Sequence, residues 1–154
     1  FLRHRSSELR LDEQTYSLVK EWDNEDFEFW HVERYRMFDI PTVQYPTNAE
    51  LGGKVRLLGY DADLEGLRVG DTLELVLYWQ ALDAMAESYK VFVHLVDEDG
   101  QVAGQADGIP LDWTYPTSWW EPGEIVEDAY RVGIDGNAQP GEYRLQAGMY
   151  VEGG

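Results

Sequence analysis

The stretch LDWTYPTSWWEPGE, Leu111 to Glu124, places Trp113, Tyr115, Trp119 and Trp120 within eight residues. Indole and phenol rings carry large flat apolar faces with a polar edge. Such faces stack on the apolar faces of sugar rings, and Asp107, Asp112 and Glu121 nearby supply carboxylates for hydroxyl groups. These four aromatics are the candidate glycan platform. The same residues have a second use, because a loop crossing the open end of a core needs bulky apolar side chains to exclude water. If the Trp119–Trp120 pair opens a strand, the two rings point to opposite faces. One is then buried, and only the other can reach a ligand.

Other chemistry is thinly represented. His4, His31 and His94 have no second histidine or acid at a metal-binding helical spacing, and each reads as structural. Ser6, Ser7, Ser17, Ser88 and Ser118 lie in no GxSxG or SxxK motif, so serine nucleophiles have no support. Carboxylates are so abundant that paired-acid catalysis cannot be singled out. Asp61, Asp63 and Glu65, followed by Gly66, open like a calcium loop. The twelfth position is Thr72 rather than the bidentate Glu of an EF-hand. A solvated turn is the simpler reading, and a calcium site completed by backbone carbonyls is the alternative. The glycines of GKVRLLGYD and LRVGD form neither GxGxxG nor a Walker motif. No catalytic residue and no cofactor is therefore assigned.

The balance of charge narrows the partners. Lys and Arg total 12 against 30 Asp and Glu, a formal charge of -18. Residues 1 to 46 hold 6 basic and 10 acidic side chains, and the remaining residues hold 6 and 20. Such a surface repels phosphate backbones and anionic headgroups, so nucleic acid is excluded as a partner. With no cysteine, disulfides, zinc thiolates and thiol catalysis drop out. At 154 residues, 44% of them hydrophobic, the chain can bury a core without a metal or disulfide. No apolar run approaches the roughly 18 residues of a membrane span, and no signal peptide follows Phe1. A chain opening on Phe1 and closing on Gly153-Gly154 is expected to be a piece of a longer protein.

The elements that must position the loop are strands. TLELVLYWQAL, Thr72 to Leu82, puts Leu73, Leu75, Leu77 and Trp79 on one face, the period-2 pattern of a half-buried strand. YKVFVHLV, Tyr89 to Val96, turns at Asp97-Glu98-Asp99-Gly100 into QVAGQAD, a hairpin. Lys54 to Asp63, Ile125 to Ile134, and a last strand carrying Tyr143, Leu145, Ala147, Met149 and Val151 complete the set. The GEY before that last strand resembles the tyrosine corner of immunoglobulin-like domains. Ahead of these, Glu13 to Lys20 and Phe27 to Met37 read as two strands around an acidic turn. FDIPTVQYPTN reads as an extended connector, because Pro41 and Pro46 favour extended backbone. The expected fold is all-β: an antiparallel β-sandwich, immunoglobulin-like or jelly-roll-like, over residues 47–154. A short N-terminal β segment and linker precede it over 1–46.

Five blocks in order carry a resemblance: GYD after the first strand, GDTLELVLYW, VFVHLVDEDG, YPTSWWEPGE and PGEYRLQAGMY. Across about residues 50 to 151 the chain resembles the soluble C-terminal β-sandwich of bacterial membrane glycosyltransferases of the dolichyl-phosphate-mannose–protein mannosyltransferase type. FEFWHVERYRM resembles the short stretch that follows the last membrane helix of such enzymes. The resemblance implies an extracytoplasmic location, periplasmic or cell-surface, and tethering by a membrane region outside this sequence. It implies a parent that transfers sugar from a lipid-linked donor. The catalytic acid of that family lies between membrane helices, so no catalytic role passes to this chain. The expected function is a non-catalytic accessory domain contacting glycan or an acceptor protein. The alternative is a structural or protein-interaction module with no glycan binding.

Overall fold

The computed structural model describes residues 16–22 and 33–153, with side chains from residue 40 onward. The chain divides into two compact units, Phe1–Thr42 and Val43–Gly154. In the first, β1 (Tyr16–Trp22) and β2 (Glu33–Asp39) form an antiparallel pair, with Tyr16 opposite Asp39 and Trp22 opposite Glu33. The parts of the two anticipated strands at 13–15 and 27–32 lie outside the described residues, as do His4 and His31.

The second unit contains two antiparallel sheets. One has the order β3 (Tyr45–Leu51), β4 (Val55–Ala62), β5 (Thr72–Ala81), β8 (Ile125–Gly133). The other has the order β7 (Val102–Gly108), β6 (Lys90–Val96), β9 (Arg144–Tyr150). This is a β-sandwich, and its core is the alternating residues of both inner faces. Leu73, Leu75, Leu77 and Trp79 from β5 meet Val91 and Val93 from β6, with Val126 and Val132 from β8 in the same cluster. Leu77, Trp79, Val91, Val93 and Val132 are fully buried.

Strand β3 begins at Tyr45, inside the stretch whose prolines suggest a connector, and runs through Thr47. Its pairing with β4 is interrupted between Pro46 and Ala49, where Asn48 takes a φ of 54°. An edge strand tolerates proline at such an irregularity because one side of its backbone has no ladder to feed. Local proline signals therefore do not exclude a strand here. Tyr45 stacks on its partner Tyr60 with centroids 4.8 Å apart. Beside them, a Cβ on Gly59 would lie 2.5 Å from the Tyr45 carbonyl oxygen, so glycine alone fits. At the start of β9 the Tyr143 hydroxyl donates to the Gln139 carbonyl at 2.6 Å, tying the Pro-Gly turn to the strand.

Chain order moves between the sheets. β7 ends at Gly108 in the three-stranded sheet, and β8 starts at Ile125 in the four-stranded one. The aromatic stretch is the crossing between them.

Candidate functional site

The crossing loop separates its aromatics by depth. Trp120 is 3% exposed and belongs to the core cluster, whereas Trp119 is 64% and Trp113 54% exposed. Tyr115 is partly buried between them, 6.4 Å from the Trp119 centroid and 6.5 Å from that of Trp120. The pair does not open a strand: Thr117–Trp119 is a 3-10 turn, and Trp120 follows in extended backbone. The abrupt change of backbone sends one indole inward and the other to solvent. The platform of four thus reduces to exposed Trp113 and Trp119, with Tyr115 between and Trp120 as the plug beneath.

Buried polar groups hold this arrangement. Thr117, fully buried, accepts from the Tyr89 backbone N–H at 2.8 Å and donates to the Glu87 carbonyl at 3.2 Å. Its hydroxyl therefore clamps the loop to the start of β6. Trp120 Nε1 donates to the Tyr115 carbonyl at 3.3 Å. The Tyr115 hydroxyl donates to Glu124 Oε1 at 2.8 Å, while Glu124 Oε2 accepts the Glu121 N–H at 2.8 Å. The loop is stitched to itself before it enters β8.

Trp113 is presented differently. Leu111, Asp112 and Trp113 have φ of 55°, 54° and 66°, three consecutive left-handed residues without a glycine. Each costs roughly 1–2 kcal/mol in L-residues, so tertiary contacts must hold the turn. Asp128 on β8, fully buried, supplies one by accepting the Leu111 N–H at 2.9 Å. Burial raises the Asp128 pKa, and the Leu111 N–H opposes that rise. Trp79 Nε1 and the Tyr130 hydroxyl also favour the carboxylate, although neither completes a hydrogen bond of standard geometry. The Tyr130 hydroxyl pKa is raised in turn, by burial first and then by the Asp128 charge. On the other side, a Cβ on Gly108 would come within 2.9 Å of Trp113 Nε1, so the indole edge packs directly on β7. Lys90 Nζ lies 5.0 Å from the Trp113 ring centroid, a cation–π distance. Lys90 is remote in sequence from the loop, Gly108 and Asp128 lie just beyond its two ends, and no local spacing signals the role of any of the three. Of the three carboxylates near the loop, Asp107 accepts the Tyr150 hydroxyl at 2.7 Å, and Asp112 is exposed.

The acidic turn is arranged otherwise. Asp61 takes the Gln44 N–H on Oδ1 at 2.6 Å and the Tyr78 hydroxyl on Oδ2 at 2.9 Å. Burial and Asp61 together raise the Tyr78 pKa to about 12. Asp63 accepts the Glu65 N–H at 3.3 Å, closing a short turn. Asp61 and Asp63 border an open cleft of about 570 Å³ with Gln44, Glu74 and Arg131, and Glu65 is not part of its wall. Among the described residues, no three His, Asp or Glu side chains are gathered as a metal-binding group. His94 lies half-buried on the face of β6 opposite the buried Val93. Among the described residues no helix is long and apolar enough to cross a membrane.

Compared with protein-family models, curated proteins and solved structures, the chain matches none. The site must be read from its own geometry.

Proposed function

We propose that this chain is a non-catalytic β-sandwich that contacts glycan, an accessory domain on the extracytoplasmic side of a membrane-bound glycosyltransferase. The observation that carries the glycan reading is the pair Trp113 and Trp119, both largely exposed on a loop whose backbone is held by buried anchors. Rings held before the ligand arrives lose little entropy on binding, which is what weak sugar stacking requires. The parent and its location rest on the five sequence blocks named above. Glycan or an acceptor protein would meet the domain through these rings.

Titration of the protein with neutral oligosaccharides, followed by tryptophan fluorescence, tests the glycan reading. A saturable change that disappears in Trp119→Ala supports it. A folded protein that binds nothing across mannan, glucan and N-acetylglucosamine oligosaccharides sinks it and leaves the interaction-module reading. The membrane context is tested separately by the upstream reading frame. Several apolar segments of about 20 residues before Phe1 support it, and a signal peptide alone counts against it.

A further inference from the structure

The outer face of the three-stranded sheet carries a second set of rings. Lys90, Phe92 and His94 alternate with the buried Val91 and Val93, so they share the face turned away from the core. Tyr150 on β9 is paired with Lys90, and Asp107 on β7 with Phe92. The two flanking strands are separated by β6, yet the Tyr150 hydroxyl reaches Asp107 at 2.7 Å. Neighbouring strands are about 4.8 Å apart, so this bond requires the phenol to lie across β6 rather than stand up from it. The hydrogen bond to Asp107 raises the Tyr150 pKa.

Phe92 also lies flat. Its partner on β9 is Gly148, and a Cβ there would come 2.7 Å from the ring atoms Cε1 and Cζ. The ring therefore occupies the space that a side chain on β9 would fill. Its centroid is 6.4 Å from Tyr150 and 4.9 Å from His94. Lys90 links this row to the loop: its ammonium is 2.8 Å from Glu152 and 5.0 Å from the Trp113 ring, and its side chain is 15% exposed. From Tyr150 through Phe92 to His94 the rings form one strip. Lys90 to His94 alone covers about 13 Å of strand.

The flanks of the strip decide its occupant. His94 is opposite Gln105 on β7 and Gln146 on β9, both exposed. Amides on both sides of a ring offer donors and acceptors to hydroxyls at either edge of a stacked sugar. Lys90 is ion-paired with Glu152, and the Asp107 carboxylate keeps its charge while accepting the neutral Tyr150 hydroxyl. In a chain of net charge -18, these three groups leave a single negative charge, and the rest of the strip offers hydrogen bonds and apolar faces. We propose that an extended neutral oligosaccharide runs along β6, stacking on Tyr150, Phe92 and His94 and hydrogen-bonding Gln105 and Gln146. Lys90 joins this strip to Trp113 on the loop. The proposal rests on the glycan reading above and adds a binding face and a preference for chain length.

Calorimetry with mannan, glucan and N-acetylglucosamine oligosaccharides, from single rings to extended chains, tests it. The variants are Gln105→Ala/Gln146→Ala, His94→Ala and Trp119→Ala. The two glutamines are exposed, so their removal leaves the fold intact, checked by an unchanged melting temperature. Affinity is expected to rise with chain length. The glutamine double variant should lose about tenfold for the long chain and little for the single ring. Binding that is independent of length, unaffected by the glutamine and histidine variants and lost in Trp119→Ala overturns the strip while sparing the loop. A wild-type protein that binds no chain of any length overturns both.

Discussion

Asp128 and Leu111 are 17 residues apart, yet the carboxylate of one holds the backbone N–H of the other at 2.9 Å. This bond joins a core strand to the start of the left-handed turn that projects Trp113. The turn has no glycine to relieve it, so its geometry depends on the partner supplied by β8.

Asp128→Ala should therefore cost about 1–3 kcal/mol, the penalty for leaving a part-buried donor without its acceptor. Its urea midpoint should fall accordingly, and Trp113 fluorescence should shift as the turn relaxes. Asp128→Asn keeps an oxygen for Leu111 and should lose far less. Equal losses in the two variants would count against the hydrogen bond as the anchor.

The same carboxyl predicts a pH dependence. Burial raises its folded pKa above the unfolded value of about 3.9, so between the two the folded state holds more protons. Its stabilising contribution is complete below the unfolded pKa and is lost as pH rises through the folded pKa. Measured against Asp128→Asn, the wild-type protein should lose relative stability as pH climbs from about 4 towards neutrality. A difference between the two that stays flat with pH would contradict this.

Trp119 and Trp120 should behave oppositely despite being neighbours. Trp120→Ala empties a core position and should cost about 3–5 kcal/mol, read as a large drop in melting temperature. Trp119→Ala removes an exposed ring and should stay within about 0.5 kcal/mol of wild type. Acrylamide should quench the Trp119 component and spare that of Trp120. Similar destabilisation by both substitutions would overturn the division into plug and exposed ring.

Thr117 clamps the loop with one hydroxyl that both accepts and donates. Thr117→Val keeps the shape but strands the Tyr89 N–H, for an expected loss of about 1–3 kcal/mol. Thr117→Ser should recover most of it. Denaturant titrations of the three proteins provide the comparison, and a serine variant as weak as valine would point to packing of the methyl group instead.

Much of the fold was legible because a half-buried strand writes its orientation into the chain. Leu73, Leu75, Leu77 and Trp79 alternate with mostly polar residues and form the inner face of β5, and the turn at Gly100 separates β6 from β7. Where the signal is local it can point the other way: Pro46 suggests a connector, yet β3 passes through it on a sheet edge, at an irregular pairing that tolerates proline. The aromatic loop was visible as composition but not as depth. Tryptophans at 113, 119 and 120 are chemically identical, and their exposure follows from a 3-10 turn and a left-handed turn that distant partners stabilise.

The outer strip was hidden for a related reason. Alternation along YKVFVHLV distinguishes two faces, but strand order alone brings Tyr150, Asp107, Gln105 and Gln146 around Phe92 and His94. By itself the sequence determined an all-β chain, its strands and turns, its acidity, and an aromatic segment between two of the strands. Only the tertiary structure decided which indole is core and which is surface, what anchors Trp113, and which rings line β6. Periodicity is a property of neighbours along the chain, whereas burial and pairing depend on residues that meet only after the sheets have packed.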